Sequence, residues 1–201
     1  DMARLRAEIL QQRFDKERIP LRTLLISRLP SLMRLGRPVR PLYNSLISWK
    51  PTESMIKGIL HFTPERSLPA LSKTTMRKGA ERLKEVQSQK GNGRTVYLFA
   101  DEFTDQQEAG IGLKFISLLM NLGYKVEIPE HMESGRTAIS KGNLKHAKRC
   151  AAYNVDMLSD LINENSPLVG IEPSCILTFR DEYPDLVEPS KRDKAKRLAS
   201  N

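Results

Sequence analysis

The sequence has 201 residues, with 33 basic and 24 acidic side chains and a formal net charge of +9 at pH 7. Hydrophobic residues make up 39% of it, which is enough for a core, but no apolar run reaches the roughly 20 residues that cross a bilayer. Two cysteines cannot supply the four ligands of a structural zinc site or a common iron–sulfur cluster. Without a secretory signal we expect a cytoplasmic protein with free thiols.

The positive charge is concentrated in residues 2–40 and in a cluster over 191–197. Neither segment carries a nucleic-acid-binding motif or interleaved aromatic residues, so solvated helix faces explain the charge better and we expect no nucleic-acid partner. Residues 21–35 also fit a basic amphipathic face that lies on the inner surface of a membrane. A helix that turns the same leucines toward a core is the alternative.

Apolar residues at helical spacing dominate the first 90 residues, which we interpret as a helical spacer segment. Ser54 is a candidate N-cap, and prolines make 62–75 irregular. Met76–Gln89 is strongly charged and predicts a solvated helix. We expect helices over 2–18, 20–29, 42–49, 54–60 and 76–89.

The turn-rich run Lys90-Gly-Asn-Gly-Arg94 predicts a domain boundary, and beyond it strands and helices alternate. The β-α-β-α-β order predicts an α/β fold with a Rossmann-like parallel sheet over 91–187. Residues 188–201 form a basic tail that we expect to start a helix whose partner lies outside the chain. The expected strands are 95–100, 124–128 and 168–171, and the expected helices are 106–122, 140–163 and 175–181.

A dense polar turn follows each predicted strand: Asp101-Glu-Phe-Thr104, Glu133-Ser-Gly-Arg136 and Glu172-Pro-Ser-Cys175. Ligands of parallel sheets bind at the carboxyl ends of the strands, so we expect these turns to meet around an anionic or redox ligand. No Gly-x-Gly-x-x-Gly follows the first strand, which disfavours a dinucleotide site. The candidate residues of this edge are Asp101, Thr104, Arg136, Glu172, Cys175 and Arg180.

Each candidate also has a structural alternative. Asp101 and Thr104 are suited to capping the next helix. Arg136 is suited to binding a carboxylate or phosphate, or to tying its loop to Glu133 or Asp101. Arg180 is suited to a local ion-pair network with its acidic neighbours.

Cys175 stands at a predicted helix start, where the pKa of a thiol is lowered and the thiolate can hold a metal. A small buried residue is the alternative for Cys175, and packing alone is expected for Cys150. The histidines are expected to be surface or satisfied residues without ligand spacing; they are His61, His131 and His146.

The run 96–186 resembles the C-terminal cysteine-rich domain of FAD-linked oxidases that are fused to an iron–sulfur module. This group includes D-lactate, glycolate and 2-hydroxyacid dehydrogenases, and the cysteine-rich subunits of heterodisulfide reductase and anaerobic glycerol-3-phosphate dehydrogenase. The opening Asp1-Met-Ala-Arg-Leu5 is similar to the family helix that follows the cluster motifs. The motifs that carry the resemblance are Asp101-Glu-Phe-Thr104, Gly123-Tyr-Lys-Val126, Gly135-Arg136, Ile139-Ser-Lys-Gly142, Glu172-Pro-Ser-Cys175 and Phe179-Arg-Asp-Glu-Tyr-Pro184.

The resemblance implies a multidomain enzyme in which FAD oxidises a 2-hydroxy acid and 4Fe–4S clusters pass the electrons on. This chain would be the helical spacer and the first half of the cysteine-rich domain, inactive alone and without a cofactor of its own. Its implied partners are the flavin and iron–sulfur parts of the parent chain, an electron acceptor, and a second copy that covers the truncated domain.

One departure from the family pattern concerns the cysteine pair that usually precedes Gly-Arg. Glu133-Ser134 stands there, so Cys175 is the one cysteine at a motif position and the one candidate metal ligand. The same replacement leaves open a different class of protein, a non-redox α/β module that recognises an anion or a protein partner.

Overall fold

The computed structural model describes residues 2–86, without the side chain of Val86, and residues 93–201. A three-stranded parallel sheet has the order β2-β1-β3, with Thr95 opposite Lys125 and Tyr97 opposite Leu168. The predicted α/β fold and parallel sheet are confirmed, whereas most of the predicted boundary at 90–94 lies outside the described residues. The strands are β1 (Thr95–Phe99), β2 (Lys125–Glu127) and β3 (Leu168–Gly170).

Helices form most of the rest of the described chain. Their bounds are α1 (Met2–Lys16), α2 (Leu21–Ser27), α3 (Leu29–Gly36), α4 (Arg40–Ser48), α5 (Lys50–Leu60), α6 (Met76–Val86), α7 (Glu102–Gln106), α8 (Ala109–Asn121), α9 (Arg136–Ser140), α10 (Leu144–Leu158), α11 (Pro173–Asp181), α12 (Tyr183–Leu186) and α13 (Arg192–Ala199).

The sheet carries a helical layer on each face because neighbouring residues of a strand point to opposite sides. Leu98 packs with α6 and α8, in a core that includes Met76 and Ile116. Phe99, the next residue, packs with α10 to α13, in a core that includes Val155 and Tyr183. The central strand is therefore buried on both faces, which is typical of a parallel sheet.

Helix α6 is not the solvated helix that its charge predicts. Met76 is completely buried and Ala80 nearly so, and both pack in the core shared with α8. The charged residues of α6 are spaced so that one apolar stripe remains. The prediction was wrong because charge density was read without that periodicity.

Three predicted helix limits are also wrong. Ser54 lies inside α5, which begins at Lys50 because Pro51 fits the first turn of a helix. Ser140 ends α9, and Gly142, with φ of +74°, separates α9 from α10. The predicted helix 140–163 is therefore α10 alone, which begins at Leu144, after the glycine turn, and ends at Leu158. The predicted helix 106–122 corresponds to α8, which begins at Ala109, and Gln106 is the last residue of α7.

The basic C-terminal segment packs inside the fold. Ala195 and Leu198, the apolar pair of α13, are buried in the same core as Phe99. The carbonyl of Asn201 also accepts a hydrogen bond of 3.1 Å from the amide of Leu168 in β3. The expectation that this helix needs a partner outside the chain was therefore wrong.

The N-terminal helices expose much apolar surface. Met33 of α3 is completely buried, whereas Leu21 and Leu35 on the same predicted amphipathic stretch are 60% and 77% exposed. Among the residues described, no helix has both the length and the apolar character to cross a membrane. Other large apolar residues exposed on α1, α4 and α5 and at the α4–α5 junction are Met2, Leu5, Ile9, Leu42, Leu46, Trp49, Met55 and Ile59.

Candidate functional site at the carboxyl edge of the sheet

The turns after the first two strands are joined by two hydrogen bonds. Glu102, just after β1, accepts from the Ser134 amide at 3.1 Å and from the Ser134 hydroxyl at 2.8 Å. Both side chains are buried. Burial raises the pKa of Glu102, and the bonds from Ser134 oppose that rise in part. The polar turns of β1 and β2 therefore meet, as their positions in a parallel sheet predict.

Two buried side chains hold the loop before Ser134 in place. The Asn154 amide donates to the Tyr183 hydroxyl at 2.8 Å and to the Glu133 carbonyl at 3.1 Å. Tyr183 in turn donates to the Ser134 carbonyl at 3.0 Å. Both Asn154 and Tyr183 are completely buried. This network anchors the loop to α10 and α12, so its backbone position is fixed from both helices.

His131 is a structural residue of the same loop. Its Nε2 accepts the Ala100 amide proton at 3.0 Å, and its Nδ1 lies 2.7 Å from the Met132 carbonyl. The ring stacks on Phe99, with centroids 4.2 Å apart. Burial, with the charge of Arg77 adding to it, lowers the pKa of His131 from 6.5 to about 3. The imidazole is neutral, and its two nitrogens are satisfied as expected.

Glu133, His146 and Cys150 form a buried group whose ligand atoms all lie within 4.8 Å of one another. Oε1 of Glu133 is 2.9 Å from Nε2 of His146, which is 3.9 Å from Sγ of Cys150. Burial on its own would raise the pKa of Glu133, but His146 and Arg34 outweigh it and lower that pKa. Burial raises the pKa of Cys150 to about 12.

Asp101 and Thr104 take structural positions. Oδ1 of Asp101 accepts from the amides of Phe103 and Thr104, at 3.0 and 2.9 Å, so the capping role expected of Asp101 is confirmed. Thr104 is buried in α7. Oδ2 of Asp101 has no hydrogen-bond partner among the described residues.

Arg136 donates to Glu182 of the α11–α12 junction at 2.8 Å. A tie from Arg136 to Glu133 or Asp101 was therefore the wrong expectation. The actual partner belongs to a segment 46 residues away, and no local pattern indicated that pairing.

The third turn contributes Cys175 to the edge and leaves its other candidates outside. Glu172 caps α11 by accepting from the Ser174 amide at 3.3 Å, and it also accepts from the Ser174 hydroxyl at 2.7 Å. Arg180 is an exposed residue bonded to its neighbour Asp181. Cys175 is completely buried. Burial raises its pKa, with Glu102 adding and Ser134 opposing, so the lowering expected at a helix start does not occur.

Comparison with known proteins gives distant relatives of one kind. No protein-family profile and no solved structure matches the chain. It is 24% identical over 189 residues to the D-2-hydroxyglutarate dehydrogenase of Escherichia coli K12, covering 91% of this chain and 19% of that protein. It is 24% identical over 177 residues to one of the subunits of anaerobic glycerol-3-phosphate dehydrogenase from the same organism, covering 87% and 44%. The chain is a homologue of these dehydrogenases.

The relationship confirms the resemblance read from the motifs. The Pseudomonas putida D-2-hydroxyglutarate dehydrogenase is 31% identical over 90 residues, which cover 45% of this chain and 9% of that protein. The chain therefore spans less than a fifth of these D-2-hydroxyglutarate dehydrogenases and less than half of the glycerol-3-phosphate dehydrogenase relative. What it shares with them is an oxidoreductase ancestry over that part of their length.

A cluster with four cysteine ligands does not fit this chain. The chain has two cysteines, and both are completely buried. Glu133 and Ser134 stand where the family resemblance places a cysteine pair, and they are hydrogen-bonded to His146 and Glu102. At the carboxyl edge of the sheet, carboxylate and hydroxyl groups are hydrogen-bonded to one another. The two thiols lie beside them as separate groups.

Sequence reasoning missed His146 and Cys150 as members of this edge. They are four residues apart on α10 and so lie on the same helix face. His146 is a satisfied residue, as expected of the histidines, and the His-x-x-x-Cys spacing on an amphipathic helix was the available signal that Cys150 lies beside it. Glu133, contributed by the loop after β2, completes the group.

Proposed function

We propose that this chain is part of a flavin- and iron–sulfur-dependent dehydrogenase that oxidises a 2-hydroxy acid. Its alignment to a D-2-hydroxyglutarate dehydrogenase over 91% of its length carries the proposal. Oxidation of a 2-hydroxy acid to the 2-oxo acid removes two electrons and two protons, which is the chemistry that FAD supplies when bound. The flavin and the clusters belong to other parts of the natural protein, because this chain lacks the cluster ligands.

Within that enzyme, this chain docks the electron acceptor and shields an iron–sulfur cluster. The carboxyl edge is closed by buried hydrogen bonds, and it offers a rigid surface rather than a catalytic group. The N-terminal helices supply the contact surface, since Leu42, Trp49 and Ile59 are each about 60% exposed. Patches of this kind mark surfaces that another protein part covers. We infer that the flavin domain or the electron acceptor covers them, and that the chain alone is inactive.

The test uses the natural protein that contains this chain, purified without oxygen. We expect flavin and iron–sulfur absorbance, and reduction of an artificial dye with one or more members of a 2-hydroxy acid panel. The 201-residue chain, assayed in parallel, should reduce no dye. A colourless, iron-free natural protein that reduces no dye with any of these acids would overturn the proposal.

An anion-binding module is the second candidate, and one pocket favours it. A cavity of about 610 Å³ opens between α3 and the start of α6. None of the residues that line it is acidic, and Arg34 connects it to Glu133 at 3.6 Å. Converging cations are suited to phosphate or carboxylate groups. Its cationic lining residues are Arg34, Arg37, Lys73, Lys78 and Arg82.

Calorimetric titration with inorganic phosphate and with a dicarboxylate tests this second candidate. Charge removal in the double variant Lys73→Gln/Lys78→Gln should weaken binding at least tenfold. The matched control is Lys145→Gln/Lys148→Gln, two cations of α10 outside this pocket. Equal affinity in both double variants, or no binding by the unmodified protein, would exclude the pocket as an anion site.

A further inference from the structure

We propose that Glu133, His146 and Cys150 bind one divalent transition-metal ion, with Zn²⁺ preferred. The three side chains are buried, and they offer a carboxylate oxygen, an imidazole nitrogen and a thiol sulfur within 4.8 Å of one another. These are the three donor types that zinc takes in proteins. This inference does not depend on the dehydrogenase function, and the ion is distinct from an iron–sulfur cluster.

Helix α10 and the loop after β2 bring the ligands together. His146 and Cys150 are one helical turn apart, so both side chains project from the same face. Asn154, one turn further along that face, binds the Glu133 carbonyl at 3.1 Å and so holds the loop over the helix. The carboxylate is thereby positioned without any contribution from the ion.

Two of the three ligand-atom separations match a tetrahedral ion after small adjustments, and the third, between Glu133 and Cys150, is within 4.8 Å. Zinc bonds of about 2.0 Å to nitrogen or oxygen and about 2.3 Å to sulfur place neighbouring ligand atoms roughly 3.3 to 3.6 Å apart. The His146–Glu133 separation of 2.9 Å has to lengthen by a few tenths of an ångström. The Cys150–His146 separation of 3.9 Å has to shorten by a similar amount. Rotation of the side chains supplies both changes.

The charges of the group also suit a divalent cation. Zn²⁺ with the Glu133 carboxylate, the Cys150 thiolate and a neutral imidazole has no net charge, which limits the cost of placing ions in a buried site. Arg34 lies 3.6 Å from Oε2 of Glu133, and Oε1 of the same carboxylate faces His146. Three protein ligands leave a fourth position for water.

Binding requires a defined movement of protons. The Cys150 S–H bond breaks and its proton leaves to solvent as the metal–sulfur bond forms. In this structure Nε2 of His146 donates its proton to Oε1 of Glu133. When Nε2 binds the ion, that proton transfers to Nδ1 through solvent, and the number of protons on the ring does not change. Arg149 is exposed, and its Nη2, now 3.4 Å from Nδ1, turns toward solvent. The balance is one proton released for each ion bound.

Cobalt provides the most specific test, because a thiolate ligand gives Co²⁺ a charge-transfer absorption in the near ultraviolet. The 201-residue protein is stripped with a chelator under reducing conditions and titrated with Co²⁺. We expect saturation at one equivalent, displacement of Co²⁺ by one equivalent of Zn²⁺, and no displacement by excess Mg²⁺. At a free Zn²⁺ concentration about 100 times its Kd, the unfolding equilibrium constant should fall about 100-fold.

The two buried cysteines provide a matched pair of variants. Cys150→Ala should lose the thiolate absorption and the release of one proton, whereas Cys175→Ala should keep both. His146→Gln should weaken binding by at least tenfold, and circular dichroism checks that each variant is folded. No saturable binding by the unmodified protein would overturn the proposal. So would a thiolate band that persists in Cys150→Ala, or one that depends on Cys175.

Discussion

Ser134 donates two hydrogen bonds to Glu102, one from its amide at 3.1 Å and one from its hydroxyl at 2.8 Å. These bonds fasten the turn after β2 to the turn after β1. Because Ser134 stands where the family resemblance places a cysteine, the residue substituted there is the one that closes the edge. A position that would carry a ligand in a cysteine-rich domain carries a structural bond here.

Replacement of Ser134 by alanine should destabilise the fold. The change leaves one buried oxygen of Glu102 without a donor, which costs about 1 to 3 kcal/mol in the free energy of unfolding. Urea denaturation measures the loss. Ser140→Ala is the control, because the Ser140 hydroxyl is exposed and its hydrogen bond goes to the Thr137 carbonyl of its own helix. Equal stability of the two variants would mean that the Glu102 contact carries no free energy.

Replacing each of the two tyrosines near this edge by phenylalanine should lower the free energy of unfolding to a different extent. Tyr183→Phe removes a buried hydroxyl that joins Asn154 to the Ser134 carbonyl, and it should cost about 1 to 3 kcal/mol. Tyr153→Phe removes an exposed hydroxyl that bonds to Glu130, and it should cost less than about 1 kcal/mol. Thermal and urea unfolding of both variants give the comparison. A smaller loss in Tyr183→Phe than in Tyr153→Phe would contradict the buried network.

His131 predicts how stability changes with pH. Its pKa is lowered from 6.5 to about 3 in the folded protein. Between these pH values the unfolded chain binds a proton that the folded chain does not, so this contribution to stability is complete above pH 6.5 and declines as the pH falls toward 3. The decline is about 1.4 kcal/mol per pH unit. The charges of Arg77 and Arg34 face the ring and act in the same direction as burial.

Urea midpoints measured from about pH 7 to about pH 4 in a chelator test this slope. His131→Gln keeps an acceptor for the Ala100 amide, and its stability should fall less steeply as the pH is lowered. The control, His61→Gln, changes an exposed histidine and should keep the decline. If the slope of His131→Gln matches that of the unmodified protein, the buried imidazole is not its cause.

A glycine pair tests the packing of α1 on the sheet domain. Gly142 has φ of +74°, and a Cβ there would collide with Cβ of Leu10 in α1. Gly142→Ala should therefore destabilise by at least about 1 to 3 kcal/mol, from backbone strain and from displacement of α1. Gly110→Ala, in open space on α8, should be neutral or stabilising. Calorimetric unfolding of the two variants is the measurement.

Local patterns were enough to predict the α/β fold, because each strand includes β-branched or apolar residues and amphipathic helices separate the strands. The capping role of Asp101 was also predictable, since its partners are the next residues in the chain. The helix limits at Ser54 and Ser140 were not predictable from local patterns. A proline is compatible with the first turn of a helix or with a break, and a glycine with a helix or with a turn. The C-terminal helix was misjudged because two small apolar residues give a weak pattern, although both are buried.

The side-chain partners at the carboxyl edge could be assigned only from the three-dimensional structure. Arg136 pairs with Glu182, and Ser134 with Glu102, across 46 and 32 residues of chain. The pKa of the Cys175 thiol is raised because the fold buries it, whereas its position at a helix start alone indicated the reverse. Sequence position correctly brought together the first two turns and Cys175 of the third, but it did not give the partner of each side chain.

Flavin reduction by the natural protein tests the proposed dehydrogenase function most directly. Anaerobic protein is mixed with D-2-hydroxyglutarate, with its L enantiomer and with other 2-hydroxy acids, and the flavin absorbance is followed without a dye. We predict that one of these acids bleaches the flavin within the turnover time and that reduction of the iron–sulfur absorbance follows. A flavin that none of these acids reduces, or a protein without flavin, would contradict the proposed function.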